Sequence, residues 1–277
     1  MKSLMLKLLM IALSVNTLFA NSIETKILKF LSKSVSATKS YKVKNISIAG
    51  QQDIKSIPGW KVFFVKVDLD LVGKNKSITI TDKIFTNGNV VTKDFVDINT
   101  VKSIKNSFSP DFDKKFYDEK NIIAGNSDAT NKLAVFSDPM CPFCMSFLPE
   151  VIEFVQKHPK QFILYYYHFP LNIHPNAPTL VKAILAAKKL GFKDVEKKVY
   201  EEVFDFETKD DKLVLDTFNK LIGTKLTLKE LEQEDIIKHM EADMKIVEAL
   251  MLNGTPRLFV NEKLDNTRKK YKNLLKR

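Results

Sequence analysis

The sequence predicts a mixed α/β protein in two parts, a small α+β region followed by a larger α/β region. Within residues 42–92, apolar and polar side chains alternate with a period of two, which is typical of strands with one buried face. From residue 126 onward the pattern is strand, helix, strand, several helices, strand and helix, which indicates a sheet with helices inserted in its middle. The only two cysteines of the chain, Cys141 and Cys144, lie between the first strand and the first helix of that region.

Residues 1–20 are typical of a secretory signal peptide. Lys2 and Lys7 give a basic start, an apolar stretch follows, and Ala20 offers a small residue for cleavage before Asn21. Leu18 is large for its place before the cleavage site, so an uncleaved membrane anchor stays as the alternative, although the stretch is short for a spanning helix. We therefore expect an exported protein, in a compartment where disulfides persist.

Residues 21–100 are predicted to form one helix and a small antiparallel sheet. The helix starts near Ile23, residues 63–71 alternate as a strand, and Asn87-Gly88 between two apolar pairs is a hairpin signal. A sheet of this size presents open edges that a second copy would cover, so we predict a homodimer formed through this N-terminal domain. Residues 101–125 are highly charged and are predicted to form a linker, part of it helical.

Residues 126–277 are predicted to form the catalytic domain. Buried strands are expected at residues 133–136, 162–167 and 257–260, with a helical insertion over about 179–252. The capping box from Thr227 to Glu230 opens one long predicted helix that extends to about Leu250. A last helix is expected to run to the end of the chain.

The net charge of +11 does not identify a nucleic-acid-binding protein. Its lysines are spread along the whole chain and are interleaved with acidic residues, without an arginine-rich cluster or a nucleic-acid motif. We therefore expect a solvated lysine-rich surface and no nucleic-acid partner.

The two cysteines fit either a thiol–disulfide redox pair or half of a zinc site. Zinc needs two more ligands, the chain has no further cysteine, and its four histidines show no pairing in the sequence. His168 and His174 flank a proline loop; a position near the site is one alternative, and we favour surface or loop residues. Two cysteines this close cannot brace the fold, because they close a very small loop. We favour the redox interpretation and predict neither a metal nor a cofactor.

Within the redox interpretation, Cys141 is the expected nucleophile. It lies where a helix begins, so free backbone N–H groups and the helix dipole favour its thiolate. Pro142 suits the first helical position, and Phe143 adds neither charge nor a donor. We predict an exposed Cys141 of low pKa, with Cys144 one turn inward as the resolving thiol that releases the substrate.

The segment around the cysteines reads Phe136-Ser137-Asp138-Pro139-Met140-Cys141-Pro142-Phe143-Cys144. It resembles the active-site signature of the DsbC/DsbG-type periplasmic thiol–disulfide isomerases. The resemblance implies a periplasmic protein with a thioredoxin-like fold and an inserted helical subdomain, preceded by a small cystatin-like α+β dimerisation domain.

Two further sites follow from this resemblance. Thr255-Pro256 matches the family's Thr–cis-Pro pair, which implies a cis peptide bond and a backbone that pairs with the bound substrate strand; the alternative is a trans proline that only stops the preceding helix. Asp138 also matches the family. It is expected either to act on the protonation of Cys144 or to form the turn before Pro139.

The implied function is thiol–disulfide exchange on exported proteins, with disulfide isomerisation as the leading prediction. The expected partners are unfolded or misfolded exported proteins that contain cysteine, and an inner-membrane thiol redox partner. Pro142-Phe143 is more similar to the Pro-Tyr of the DsbG branch than to the Gly-Tyr of the DsbC branch, and the chain lacks the cysteines for the second disulfide that some members carry. A dimeric DsbA-type oxidase and a non-catalytic periplasmic chaperone remain as alternatives.

Overall fold

The computed structural model describes residues 22–36, 41–73, 76–202, 204 and 210–275. The predicted signal peptide, residues 1–20, lies outside these described residues. The chain divides into two compact units between Pro110 and Asp111, each with its own hydrophobic core. Within the described ranges, no helix combines the length and the apolar character that are needed to cross a bilayer.

The N-terminal unit packs one helix on a four-stranded antiparallel sheet with the strand order β1-β2-β3-β4. Ile27 and Leu31, four residues apart on the helix, pack against Phe63 and Val65 of one strand and Ile84 of the next, so helical and strand periodicities meet in one core. The elements are α1 (Ile23–Ser36), β1 (Tyr41–Asp53), β2 (Lys61–Leu71), β3 (Ser77–Thr86) and β4 (Val91–Thr92).

The hairpin predicted at Asn87-Gly88 is confirmed, because β3 and β4 pair on either side of it. Gly88 lies at φ +90°, in the left-handed region that glycine adopts without strain. The side-chain oxygen of Asn87 accepts the backbone N–H groups of Asn89 and Val90 at 3.0 and 3.1 Å, which closes the turn. A second small hairpin follows, formed by β5 (Val96–Asp97) and β6 (Lys102–Ser103).

The C-terminal unit contains a five-stranded sheet with the order β11-β10-β8-β9-β7. Its central pair, β8 and β9, is parallel, and the other neighbours are antiparallel. The strands are β7 (Ile122–Gly125), β8 (Asn131–Ser137), β9 (Phe162–His168), β10 (Arg257–Val260) and β11 (Lys263–Leu264). The helices are α2 (Pro142–Lys157), α3 (Ala177–Lys189), α4 (Val195–Glu201), α5 (Asp211–Ile222), α6 (Leu228–Leu231) and α7 (Glu234–Ala249).

Both faces of this sheet are buried. Leu133 and Val135 of β8 contribute to the core that includes α2 and both cysteines. Ala134 and Phe136, which alternate with them, contribute to the opposite core beneath the C-terminal part of α7. A third core joins the inserted helices to one another. The sheet therefore forms a middle layer, and the cysteines lie at the end of its central strand.

Strand β7 differs from the prediction that residues 101–125 form a linker. Residues 122–125 belong to the sheet, where they pair with β9 as its edge strand. Gly125 ends the strand at φ +86°, and a Cβ atom there would lie 2.1 Å from the carbonyl oxygen of Phe162. A four-residue strand is too short to be distinguished by periodicity in a charged stretch.

The single long helix predicted from the capping box is wrong, because Gln233 is extended and separates α6 from α7. Leu231 and Ile236 both contribute to the core of the inserted helices. In one continuous helix these two residues would point about 140° apart, since each residue turns the helix by about 100°. The break therefore allows both side chains to reach the same core.

The predicted terminal helix is also wrong within the residues that the structure describes, since only a 3-10 turn at Lys270–Leu274 forms. Arg268 lies in the left-handed region at φ +56°, which interrupts a helix. The carboxylate of Asp265 accepts the backbone N–H groups of Thr267 and Lys270, at 2.9 and 2.8 Å, and holds the segment in turns.

Candidate active site

The site lies where β8 ends and α2 begins. Ser137 is the last residue of β8, a turn follows, and Cys141 is the residue that caps the N-terminus of α2. The backbone N–H of Cys141 donates to the carbonyl oxygen of Asp138 at 3.1 Å, which closes the turn. Pro142 occupies the first turn of the helix, as predicted, where its missing N–H costs nothing.

The Cys141 thiol has its pKa lowered from the ordinary value of 9.0 to about 5. The largest cause is a hydrogen bond from the Cys144 thiol, which stabilises the Cys141 thiolate. The Thr255 side chain and the backbone N–H groups of Cys144 and Phe143 act in the same direction, while burial opposes them. The position of Cys141 at the helix start thus favours a thiolate, in agreement with the sequence-based expectation.

The expectation that Cys141 is exposed is wrong, because its side chain belongs to a hydrophobic core and the residue is only 4% exposed. Its sulfur lies 3.7 Å from the carbonyl oxygen of Thr255, so the segment before β10 covers it. Phe143 is the exposed residue of the motif, with 72% of its surface accessible. Sequence position at a helix start does not reveal what a distant loop covers.

Cys144 lies one turn inside the helix and is fully buried. Burial raises the pKa of its thiol far above the ordinary value, and its hydrogen bond to Cys141 acts in the same direction. The backbone N–H of Asp138 and the hydroxyls of Ser137 and Thr255 contact the sulfur and partly offset the effect of burial on its pKa. The two thiols are both free, so this is the dithiol form of the pair.

The Thr255-Pro256 peptide bond is cis, as the resemblance implied. Its threonine lies near both sulfurs and lowers the pKa of both thiols, although the Thr255 hydroxyl has no hydrogen-bond partner of ordinary geometry among the described residues. The sequence separation of Cys141 and Thr255 is bridged by the antiparallel pairing of β10 with β8. This places the predicted substrate-binding pair beside the predicted nucleophile.

Asp138 is fully buried, and its carboxylate holds two segments of backbone together. One oxygen accepts the N–H of Met140 at 2.7 Å, within its own turn. The other oxygen accepts the N–H of Leu171 at 2.7 Å and contacts Nδ1 of His174 at 2.8 Å. Of the two predicted roles, these contacts support the structural one, and they extend it to the loop that follows β9.

The expectation that His168 is a surface or loop residue is wrong, because it is the last residue of β9 and is buried. Its Nδ1 lies 2.7 Å from the Asp243 carboxylate, which also accepts its backbone N–H at 2.9 Å. His174 does lie in the loop after β9, as predicted, and is held there by Asp138. Asp243 is 75 residues away from His168, so local sequence gives no signal of the pair.

No pairing of the histidines is visible in the sequence, but the fold brings two of them together, since the rings of His168 and His239 meet edge-on with centroids 5.8 Å apart. With Asp243 they form the one group of candidate metal ligands found among the described residues. The Asp243 carboxylate already accepts two N–H donors of His168 and one of Asn121. Burial lowers the pKa of His239 to about 4, so that ring is neutral at pH 7. The cluster is an anchor between β9 and α7, and it contains neither cysteine.

Three hydroxyl-bearing residues near Cys144 were not assigned a role from the sequence. Ser137 belongs to the motif, Tyr166 is in β9 and Tyr200 is in α4. All three are buried, and their hydroxyl oxygens are linked at distances of 2.7 and 2.8 Å. The continuous burial of β9 is visible as an apolar and aromatic run in the sequence, but the partner from α4 is not.

Several solved structures are similar to somewhat more than half of the chain. A thioredoxin-like oxidoreductase from Silicibacter pomeroyi is 21% identical, with a TM-score of 0.49 over 57% of this chain and 92% of that one. Oxidised BdbD from Bacillus subtilis is 20% identical, with a TM-score of 0.48 over 60% and 92%. The thiol–disulfide exchange protein alpha-DsbA2 from Wolbachia pipientis is 17% identical, with a TM-score of 0.47 over 58% and 88%.

Two curated relatives match about half of the chain. They are Na(+)/H(+) antiporters named NhaA 1 from Mycolicibacterium gilvum and Mycolicibacterium vanbaalenii, each 29% identical over 154 and 152 residues, or 52% of this chain. The match spans only about a quarter of the length of those antiporters, 24% of each. Their transport activity is a property of the whole antiporter chains.

A thioredoxin family model matches residues 117–277, which include both cysteines, the cis-proline and the whole five-stranded sheet. Because this match covers more than half of the 277 residues, the chain belongs to the thioredoxin family.

Proposed function

We propose that this protein is a thiol–disulfide oxidoreductase in which Cys141 attacks substrate disulfides and Cys144 resolves the mixed disulfide. The observation that supports this most is the opposite perturbation of the two thiols. Cys141 has a pKa of about 5, while burial keeps Cys144 protonated. At neutral pH the Cys141 sulfur is therefore a thiolate that can attack a disulfide, while the neighbouring Cys144 sulfur remains a protonated thiol until the resolving step.

In the first step, the Cys141 thiolate attacks one sulfur of a substrate disulfide. A bond forms between Cys141 and that sulfur, the substrate S–S bond breaks, and the released substrate thiolate takes up a proton. In an isomerisation, the released thiol later attacks elsewhere, and a substrate thiolate finally displaces Cys141 unchanged. If rearrangement stalls, Cys144 attacks Cys141, and the substrate leaves reduced while the enzyme becomes oxidised.

The surface around Cys141 suits an unfolded chain. The Thr255 carbonyl lies 3.7 Å from the Cys141 sulfur, so backbone and nucleophile are adjacent. Phe143 and Ile173 expose 72% and 78% of their surfaces. Exposed apolar side chains bind unfolded segments, whose own apolar residues are accessible. The expected clients are therefore misfolded or unfolded exported proteins that contain cysteine.

The isomerase assignment can be tested on a protein with scrambled disulfides. Wild-type protein, reduced beforehand, is expected to restore client activity, Cys141→Ala to restore none, and Cys144→Ala to accumulate mixed disulfides because the resolving thiol is gone. A Cys141→Ala variant as active as the wild type would refute the enzyme proposal. If that variant still suppresses client aggregation, the protein is a chaperone instead.

A dimeric disulfide oxidase is the second candidate, favoured by the same low pKa of Cys141, which stabilises the reduced enzyme and makes its disulfide a stronger oxidant. The two candidates differ in the state of the pair within the cell. Alkylation of acid-quenched cells is expected to trap Cys141 and Cys144 as thiols, held reduced by an inner-membrane partner. Mostly oxidised cysteines would favour the oxidase. Fractionation of the same cells tests the proposed periplasmic location.

The N-terminal unit is proposed to form a homodimer. Strand β1 is the edge of its sheet over 13 residues, and none of them is buried in the single chain. A long unpaired edge has free N–H and C=O groups that a second copy would satisfy. Sedimentation at micromolar concentration is expected to give twice the mass of the chain, and a monomer would refute this proposal.

A further inference from the structure

A chain of buried hydroxyls leads away from the Cys144 sulfur. Cys144, Tyr166 and Tyr200 pack in one core, Ser137 lowers the pKa of the Cys144 thiol, and Tyr200 donates its phenol O–H to Ser137 at 2.8 Å. The phenol of Tyr166 lies 2.7 Å from that of Tyr200. Ser137, Tyr200 and Tyr166 are 0%, 2% and 1% exposed, so water does not compete for these bonds.

The charged groups around this hydroxyl chain are already engaged. The charge of the Asp138 carboxylate raises the pKa of Tyr166. This carboxylate already accepts hydrogen bonds from its own turn and from the loop after β9. The charge of Glu196 also raises the pKa of Tyr166, and its carboxylate forms an ion pair with Lys188 at 2.5 Å. Burial raises the pKa of both tyrosines well above 10, so they remain hydroxyl donors at working pH. Cys144 thus has neutral hydroxyls, rather than an acid, as its side-chain neighbours on this side.

We propose that Ser137, Tyr200 and Tyr166 form a relay of donated hydrogen bonds that stabilises the Cys144 thiolate during the resolving step. This inference rests on the proposed redox function and deepens it. Ser137 is the residue that acts on the reacting sulfur itself. Tyr200 and Tyr166 are positioning residues that orient and polarise the Ser137 hydroxyl. Hydrogen bonds in such a chain strengthen one another where water is excluded.

The step balances without any further reactant. Cys144 loses its proton and its sulfur bonds to Cys141, while the bond between Cys141 and the substrate sulfur breaks. The departing substrate sulfur takes up one proton, so the enzyme gains a disulfide and the substrate a thiol. In the mixed disulfide Cys141 carries no negative charge to hold the Cys144 S–H, and once Cys144 is a thiolate the Ser137 O–H donates to its sulfur.

Rapid mixing of the reduced full chain with Ellman's reagent separates the two steps. Attack by Cys141 releases the first coloured thiolate at a rate proportional to reagent concentration. Attack by Cys144 on the resulting mixed disulfide releases the second thiolate at a rate independent of that concentration. Tyr200→Phe is expected to slow the second phase about tenfold at pH 7 and to raise the midpoint of its pH profile by about one unit. The first phase is expected to stay unchanged.

Tyr167→Phe is the matched control. Tyr167 is a buried tyrosine of β9, next to Tyr166, but its hydroxyl lies on the other face of the sheet and donates to the carbonyl oxygen of Phe116. Its second phase is expected to equal that of the wild type. Ser137→Ala provides an independent break in the relay and is expected to slow the second phase at least as much as Tyr200→Phe. Thermal unfolding of each variant identifies the ones that are folded.

If the rate of the second phase in a folded Tyr200→Phe or Ser137→Ala variant is within twofold of the wild-type rate, the relay is overturned. An equal slowing of both phases would also overturn it, because a general loosening of the site affects both thiols. Failure of the proposed function looks different. The wild-type protein would then show both phases with the reagent and yet leave disulfides of client proteins unchanged.

Discussion

The low pKa of Cys141 can be tested through its dependence on Cys144. The hydrogen bond from the Cys144 thiol is the largest cause of the shift from 9.0 to about 5. At pH 7 a thiol of pKa 5 is about 99% ionised, whereas an ordinary one of pKa 9 is about 1% ionised. Cys144→Ala removes the main donor and leaves the Thr255 and backbone contacts. We therefore expect the Cys141 midpoint to rise by one to two units, on the order of one lost charge-assisted hydrogen bond.

The assay is the rate of alkylation by iodoacetamide between pH 3 and 9, with thiolate absorbance at 240 nm as an independent measure. Wild-type protein is expected to give a midpoint near pH 5 from Cys141, with Cys144 unreactive. Unfolded protein supplies the ordinary thiol as a reference. A wild-type midpoint at or above pH 8 would refute the proposed thiolate. An unchanged midpoint in Cys144→Ala would show that the backbone, and not the second thiol, supplies the stabilisation.

The same shift makes the stability of the reduced protein depend on pH. Because the pKa of Cys141 is lowered on folding, its contribution is complete above about pH 9 and is lost as the pH falls through about 5. At pH 7 it amounts to about 2–3 kcal/mol of unfolding free energy. The unfolding free energies of the reduced wild type and of Cys141→Ala can be measured with denaturant. The excess of the wild-type value over the variant value is expected to grow from pH 5 to pH 8. A difference that is constant with pH would contradict this linkage.

Two further predictions concern the backbone that supports the site. Gly125→Ala is expected to cost more than 3 kcal/mol of unfolding free energy, because its Cβ would lie 2.1 Å from the Phe162 carbonyl oxygen. Gly223→Ala, at a similar φ of +79° but in open space, is the control and is expected to cost about 1 kcal/mol; equal losses would contradict the predicted clash. Asp138→Ala is expected to cost about 2–4 kcal/mol and to speed hydrogen exchange in the loop after β9, because three partly buried donors lose a fully buried acceptor. Asp128→Ala, at an exposed position, is the control and is expected to change neither measurement. If the loop after β9 is as well protected from exchange in Asp138→Ala as in the wild type, Asp138 does not anchor it.

The redox pair was predictable because its chemistry depends on local sequence. A strand, a turn and a helix are encoded within the 27 consecutive residues 131–157, and a cysteine followed by Pro142 defines the helix start. The direction of the Cys141 pKa shift was predictable from that placement, whereas its largest cause, the Cys144 thiol, and the raised pKa of Cys144 depend on packing. The cis Thr255-Pro256 bond came from the resemblance, since nothing in its local sequence requires it.

What could not be predicted depends on contacts between distant segments. The pairing of His168 with Asp243 spans 75 residues, and the cover over Cys141 comes from Thr255, 114 residues away. Each side chain is individually ordinary, and only the pairing of β10 with β8 and the packing of α7 bring the partners together. Gln233 illustrates the same limit, because its helix break is explained by a core that the sequence does not display.

The difference between the two thiols belongs to the reduced state alone. Residues three apart on a helix lie on one face, so the Cys144 S–H can point at the Cys141 sulfur. That bond lowers the pKa of Cys141 and, by holding the proton, raises that of Cys144. In the disulfide neither the proton nor the charge exists, so this stabilisation is absent from the oxidised protein. It follows that any substitution that weakens the thiol–thiolate bond should make the disulfide harder to reduce, whether or not it slows the first attack.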